Sequence, residues 1–161
     1  MPGYISEISY GGNASADFIE VVVPEGTDVS LYSVVVYKGD GTVEATFSFG
    51  SVVSTADGSD VYLFDSGTPG FTNINSNDAV ALVDDLGNVI QFISFGGNTV
   101  TATEGPADGL TSSDIGTAAK GESLQTNDDG SSYFVQTNFA NTWPSLHRRP
   151  AVNTPPNFIL A

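Results

Sequence analysis

The stretch Val43-Glu44-Ala45-Thr46-Phe47-Ser48-Phe49, "VEATFSF", alternates apolar and polar residues without a break. Successive side chains of a strand point to opposite faces, so this pattern predicts a half-buried strand with Val43, Ala45, Phe47 and Phe49 on one face. The same period of two recurs in "ISEISY", "DFIEVVV", "LYSVVVYKG", "DVYLFD", "AVALVDD" and "NVIQFISF", each rich in Val, Ile, Phe or Tyr. Turn signals separate them: "PEGTD", "GDGT", "ADGS" and "DLGN". "KGDGT" is expected to close a hairpin between strands near 31–38 and 43–49, and "DDLGN" another between 79–84 and 88–95. No window shows a period near 3.6; the best helical candidate is a single turn at 111–119. Many short strands at regular spacing point to an all-β sandwich or barrel of antiparallel strands. Ile8, Ile19, Val21, Leu31, Val35, Phe47, Leu63, Leu82, Ile90 and Phe92 are the expected core.

At 161 residues the chain fits one domain. We read an ordered part at about 4–140 and an extended tail at about 141–161. The formal charge is −15, and the only Lys and Arg residues are Lys38, Lys120, Arg148 and Arg149. Such a surface repels phosphate backbones and anionic lipid, so nucleic acid is not an expected partner. No segment has the length of an apolar membrane span. "MPGYISEISY" has neither a basic start nor an apolar run, so no leader peptide is expected in it. Without cysteine, thiolate chemistry and disulfides are excluded. With one histidine and no cysteine, a zinc site of the usual kind is excluded too.

Thirteen of the nineteen acids are Asp, and most stand beside Gly, Asn or Ser, where Asp serves turns by bonding nearby backbone. "TEGPADGLTSSDIG", 103–116, carries Glu104, Asp108 and Asp114. These are three hard oxygen donors, the kind calcium takes, but without EF-hand spacing. They are the candidate metal ligands, with a plain ordered connection across the end of the sandwich as the structural alternative. Glu7 and Glu20 sit among apolar strand residues. If their strands pair, the carboxylates approach each other, as a general acid–base pair or a cation site would require. The alternative is that each meets backbone donors at a sheet edge or a hydroxyl. The aromatics Tyr4, Tyr10, Tyr32, Tyr37, Tyr62, Tyr133 and Trp143 suit either core packing or a sugar-stacking face. His147, with Arg148 and Arg149, forms the one basic spot.

"YISEISYGG", "ADFIEVVVPEGTDVSLYSVVVYKGDGTV" and "DAVALVDDLGNVIQFISFGG", followed by "EGPADGLTSSDIG", "GESLQ" and "PAVNT", stand in an order that resembles the lamin tail domain. The likeness is to the version found in secreted or surface proteins of bacteria, and it covers about residues 4–154. Tyr32 and Ser33 stand where that family commonly has Trp, and "HRRP" interrupts the closing motif. The resemblance implies an immunoglobulin-like sandwich, an extracellular or surface location and fusion to other domains. It implies a non-catalytic binding or spacer role toward a protein or carbohydrate ligand, and no activity. The competing expectation from the residues is a metal-dependent hydrolase using some of Glu7, Glu20, Glu104 and Asp108.

Overall fold

The computed structural model describes residues 3–13 and 15–137. They form eleven strands and no α-helix: β1 Tyr4–Ser9, β2 Phe18–Pro24, β3 Ser33–Tyr37, β4 Val43–Ser48, β5 Ser54–Ala56, β6 Ser59–Phe64, β7 Ala79–Val83, β8 Val89–Ser94, β9 Ser113–Asp114, β10 Glu122–Gln125 and β11 Phe134–Thr137. Six make one sheet in the order β11-β10-β1-β2-β6-β5, and five make the other in the order β4-β3-β7-β8-β9. All pairings are antiparallel except β8–β9. The protein is an all-β sandwich. Both expected hairpins are present, and the helical candidate at 111–119 contains β9 instead.

Between the sheets lies the main apolar cluster. Ile5, Ile8, Ile19 and Val21 come from the six-stranded sheet, and Val34, Val36, Phe47, Val80, Leu82 and Ile93 from the five-stranded one. Phe47 stacks near Phe64 and Phe71, with ring centroids 6.3 and 5.3 Å away. A second cluster occupies the outer face of the five-stranded sheet. There Val35, Tyr37, Ala79, Ala81, Val83 and Phe92 pack under Val100, Ala102 and Ala107. Val35 and Phe92 are therefore buried, but on the opposite side of their sheet from Phe47. Leu31, expected in the core, is 71% exposed, because it stands in the turn before β3, where no sheet covers it. Leu63 and Ile90 are half-buried.

Three β-bulges set which side chains face in. Ile5 and Ile8 are three residues apart and cannot share a face in a regular strand. An irregularity between Ile5 and Glu7 lets both enter the core. A second, opposite Val36/Tyr37, separates Val43 from Ala45: Val43 packs on the outer cluster, not beside Phe47 as strict alternation predicts. A third, opposite Leu82/Val83, turns Ile90 toward the inner cluster and Val89 toward the outer one.

Gln91 of β8 lies opposite Leu82, on the inner face. The Ile5 amide donates to Gln91 Oε1 at 2.8 Å, and Gln91 Nε2 donates to the Tyr133 hydroxyl at 2.7 Å. That hydroxyl donates in turn to the Ile5 carbonyl at 2.6 Å. One amide side chain and one phenol thus meet both polar groups of Ile5, beside the β1 bulge, and tie the two sheets together. Phe47→Ala should lower stability by about 3–5 kcal/mol, whereas Leu31→Ala should change it by less than about 0.5 kcal/mol; chemical denaturation of the two variants measures both.

Candidate functional site

The segment 97–112 runs from β8 over the outer face of the five-stranded sheet, not across the end of the sandwich. Tyr37, fully buried, fastens it: its hydroxyl donates to the Glu104 carbonyl at 2.9 Å and accepts from the Ala107 amide at 3.0 Å. Gly105 sits there at φ +69°, and a Cβ on it would come within 2.6 Å of the Tyr37 hydroxyl, so both its conformation and its contact require glycine. A buried hydroxyl relay holds the flank: the Val100 amide donates to Ser112 Oγ, Ser112 to Ser94 Oγ, and Ser94 to the Asn98 carbonyl.

The three candidate metal ligands are placed by this strap. The Glu104 carboxylate accepts the Val43 amide at 2.7 Å, which joins the strap to β4. Asp114, in β9, accepts the Gly116 amide at 3.2 Å. Asp108 is exposed, and its own amide donates to the Gly105 carbonyl in a turn. Among the described residues no three His, Cys, Asp or Glu side chains converge in a group that could hold a metal ion.

Glu7 and Glu20 do meet. They are direct partners across β1 and β2, strands in the middle of the six-stranded sheet, and both are fully buried. Their neighbours Ile8 and Ile19 face the core, so the two carboxylates lie on the outer face. Ser123 Oγ and Gln125 Nε2 of β10 donate to Glu7, and Ser6 Oγ donates to Glu20 at 2.6 Å. Hydroxyls are thus among their partners, and a sheet edge is not involved. Two ionised carboxylates at a cross-strand separation of about 5 Å repel by about 3 kcal/mol at an effective dielectric constant of 20. Glu104 and Asp108 are on the far side of the molecule, against the other sheet, so the four acids do not form one site.

Most of the remaining acids organise backbone. Asp17, 1% exposed, accepts the amides of Gly12 at 3.0 Å and Ile74 at 2.9 Å, and burial holds its carboxyl above the ordinary range against those two bonds. Asp60 accepts the Gly26 amide and the Thr55 hydroxyl. Asp84 closes the β7–β8 hairpin by accepting the amides of Leu86 and Asn88, and these bonds lower its pKa. Asp40 does the same for Thr42 in the β3–β4 turn, and Asp128 for Ser132. Among the described residues, at least eleven acids accept a backbone amide. Of the buried members, Asp17 and Asp78 were not singled out by sequence; the signal was their place one residue before an apolar strand.

Tyr10, Tyr32, Tyr37 and Tyr62 are buried, and Tyr4 and Tyr133 half-buried, so packing and not an exposed sugar-stacking face accounts for these six. Trp143, His147, Arg148 and Arg149 lie outside the described residues. A cleft of about 330 Å³ opens at one end of the six-stranded sheet, bordered by Tyr10, Asp17, Phe18, Leu63 and Asp65. No helix of the described residues is long and apolar enough to cross a membrane. Comparison with protein-family models, curated proteins and solved structures finds no match to this chain.

Two outcomes follow from this site. Tyr37→Phe leaves the buried Ala107 amide without its acceptor, so stability should fall by roughly 1–3 kcal/mol, with faster hydrogen exchange at Ala107. Asp78, 2% exposed, accepts the Asn75 amide at 2.8 Å, and burial, with Glu44 adding to it, raises its pKa from 3.8 to about 6. Between those values the folded chain binds more protons than the unfolded one, so this residue's contribution falls as pH rises from about 4 to about 6. Asp78→Asn should remove that fall and stabilise the protein at pH 7 by roughly 1–3 kcal/mol; melting both chains across pH 4–7 checks the sign.

Proposed function

We propose that this chain is a non-catalytic binding or spacer module, of the immunoglobulin-like, lamin-tail type, belonging to an extracellular or surface protein with further domains. One observation carries the reading: most of the turn acids, the candidate ligands Glu104 and Asp114 among them, accept backbone amides. A carboxylate saturated by amides in a fixed turn is a structural element, and a surface of such turns stays soluble while holding its strands in register. The location and the fusion to other domains rest on the resemblance in residues 4–154.

Binding, in this reading, belongs to the cleft at Tyr10, Phe18 and Leu63. Its volume of about 330 Å³ is at the small end for ligand pockets, which run from about 300 to 1,000 Å³. It suits a single sugar ring or one side chain of a protein partner, with Asp65 on its border as a hydrogen-bond acceptor.

Calcium enters this reading as a general counterion to a chain of formal charge −15. In low salt, millimolar calcium and magnesium should raise the melting temperature alike; at high monovalent salt neither should. The same preparations should leave phosphodiester and carboxylic ester substrates intact. A calcium-specific rise at high salt that Asp108→Asn removes would instead establish an ion site on the 103–116 strap. Metal-dependent hydrolysis that Glu104→Gln abolishes would replace the binding module with a hydrolase.

A further inference from the structure

We propose that the free edge of β8 is a docking site for an extended basic peptide, which adds a short strand beside residues 89–92 of the five-stranded sheet. The site shares no lining residue with the cleft at Tyr10 and Leu63. β8 is six residues long, but β9 pairs with only two of them, Ile93 and Ser94. The chain reaches this edge from the strap over the outer face, where Ser112 bonds Ser94, so β9 begins only at Ser113. From Val89 to Phe92, no described strand lies on that side. The Ser94 carbonyl accepts the Ile115 amide there, and residues two apart in a regular strand direct their polar groups the same way. The register of β8 is regular from Gln91 to Ser94, so the Phe92 amide faces the free side.

A groove of about 560 Å³ opens beside this edge. Phe92, Ile93, Ser113 and Asp114 border it on one side, and Ser131 and Ser132 of the turn before β11 on the other. Its walls are fixed by their own bonds. Asp128 accepts the Ser132 amide at 3.0 Å and the Ser132 hydroxyl at 2.6 Å, and Thr126 Oγ1 accepts the Gly130 amide at 3.1 Å. Gln91 ties this turn to β8 through the Tyr133 hydroxyl. A groove formed in advance spares a ligand the cost of ordering it. At about 3.3 Å per residue, the open edge at 89–92 offers roughly 13 Å, the length of a short strand.

The chemistry of the groove selects the occupant. Main-chain groups along a strand edge are met best by another main chain, whose alternate side chains then point into the groove. Native edges are commonly blunted by a charge or a proline, and β8, "VIQFIS", has neither. The charge stands beside the edge instead. Asp114, Asp128 and Asp129 are exposed, and no Lys or Arg among the described residues lines the groove. One Asp114 oxygen takes the Gly116 amide, and the other is left to meet an ammonium or guanidinium group. These acids attract a peptide carrying Lys or Arg. They repel nucleic acid, anionic lipid and a second copy of a chain whose formal charge is −15.

The test titrates the full chain with an acetylated, amidated hexapeptide of alternating lysine and valine, read by amide NMR. Binding should slow hydrogen exchange at the Phe92 amide and shift the amides of Ser113, Asp114, Ser131 and Ser132. N-methylating the amides along one edge of the peptide keeps its charge and removes its donors, and should weaken binding by about tenfold or more. Asp114→Lys should weaken it by about tenfold as well, through the charge. No binding at millimolar peptide overturns the proposal, and so does equal binding of the methylated peptide, which would show attraction by charge alone. Shifts confined to the cleft at Tyr10 and Leu63 overturn it while leaving the binding-module reading in place. Protection of Phe92 that grows with protein concentration in the absence of peptide overturns it in favour of a second copy at this edge.

Discussion

The two sheets are joined by many apolar contacts, but one polar connection sets their relation. The bulge in β1 lets Ile5 and Ile8 both enter the core, and beside it both polar groups of Ile5 are taken up by side chains. A backbone amide and carbonyl buried in a sandwich cost more than the core can ignore if they go unmet. Gln91 from the opposite sheet and Tyr133 from the approach to β11 meet them, and they also bond each other. The same bulge turns Glu7 outward into register with Glu20. Core packing, the joint between the sheets and the carboxylate pair thus depend on one extra residue in one strand.

A second constraint concerns the outer faces. In an ordinary antiparallel sandwich these are wet, and alternation places polar residues there. Here the outer face of the five-stranded sheet is apolar, with alanines at 79 and 81 leaving room for Ala102 and Ala107 of the strap above. Tyr37 both fills that layer and fastens the strap through its hydroxyl. A long connection rich in glycine and acids is therefore a structural layer, ordered by its own backbone bonds and by the small residues beneath it.

The acidic composition has the same root. Turns between short strands need backbone amides met at tight corners, and an Asp side chain does this locally. The consequence is a strongly negative surface whose charges are distributed by the turn positions, with Asp17 and Asp78 pulled far enough inside for burial to oppose their ionisation.

Period-two alternation and the Asp/Gly turns by themselves determined the all-β class and the places of β1, β2, β3, β4, β6, β7 and β8. They also determined the two hairpins at 38–42 and 84–88, because these features depend on neighbours a few residues apart. That Glu7 and Glu20 would face each other if their strands paired was also legible, since alternation restricts which side chains can meet. Tertiary structure alone decided the rest. Which face of a strand is buried depends on bulges, and a bulge is chosen by what the opposite sheet offers: Val43 left the side of Phe47, and Phe92 lies on the outer face, for that reason. Leu31 is exposed because no sheet lies over its turn. The short strands β5 and β9 carry too few residues for a period and exist through their neighbours' open edges. The fates of Glu104, Asp108 and Asp114 were decided by where the strap crosses the sheet, a long-range docking that no local pattern encodes.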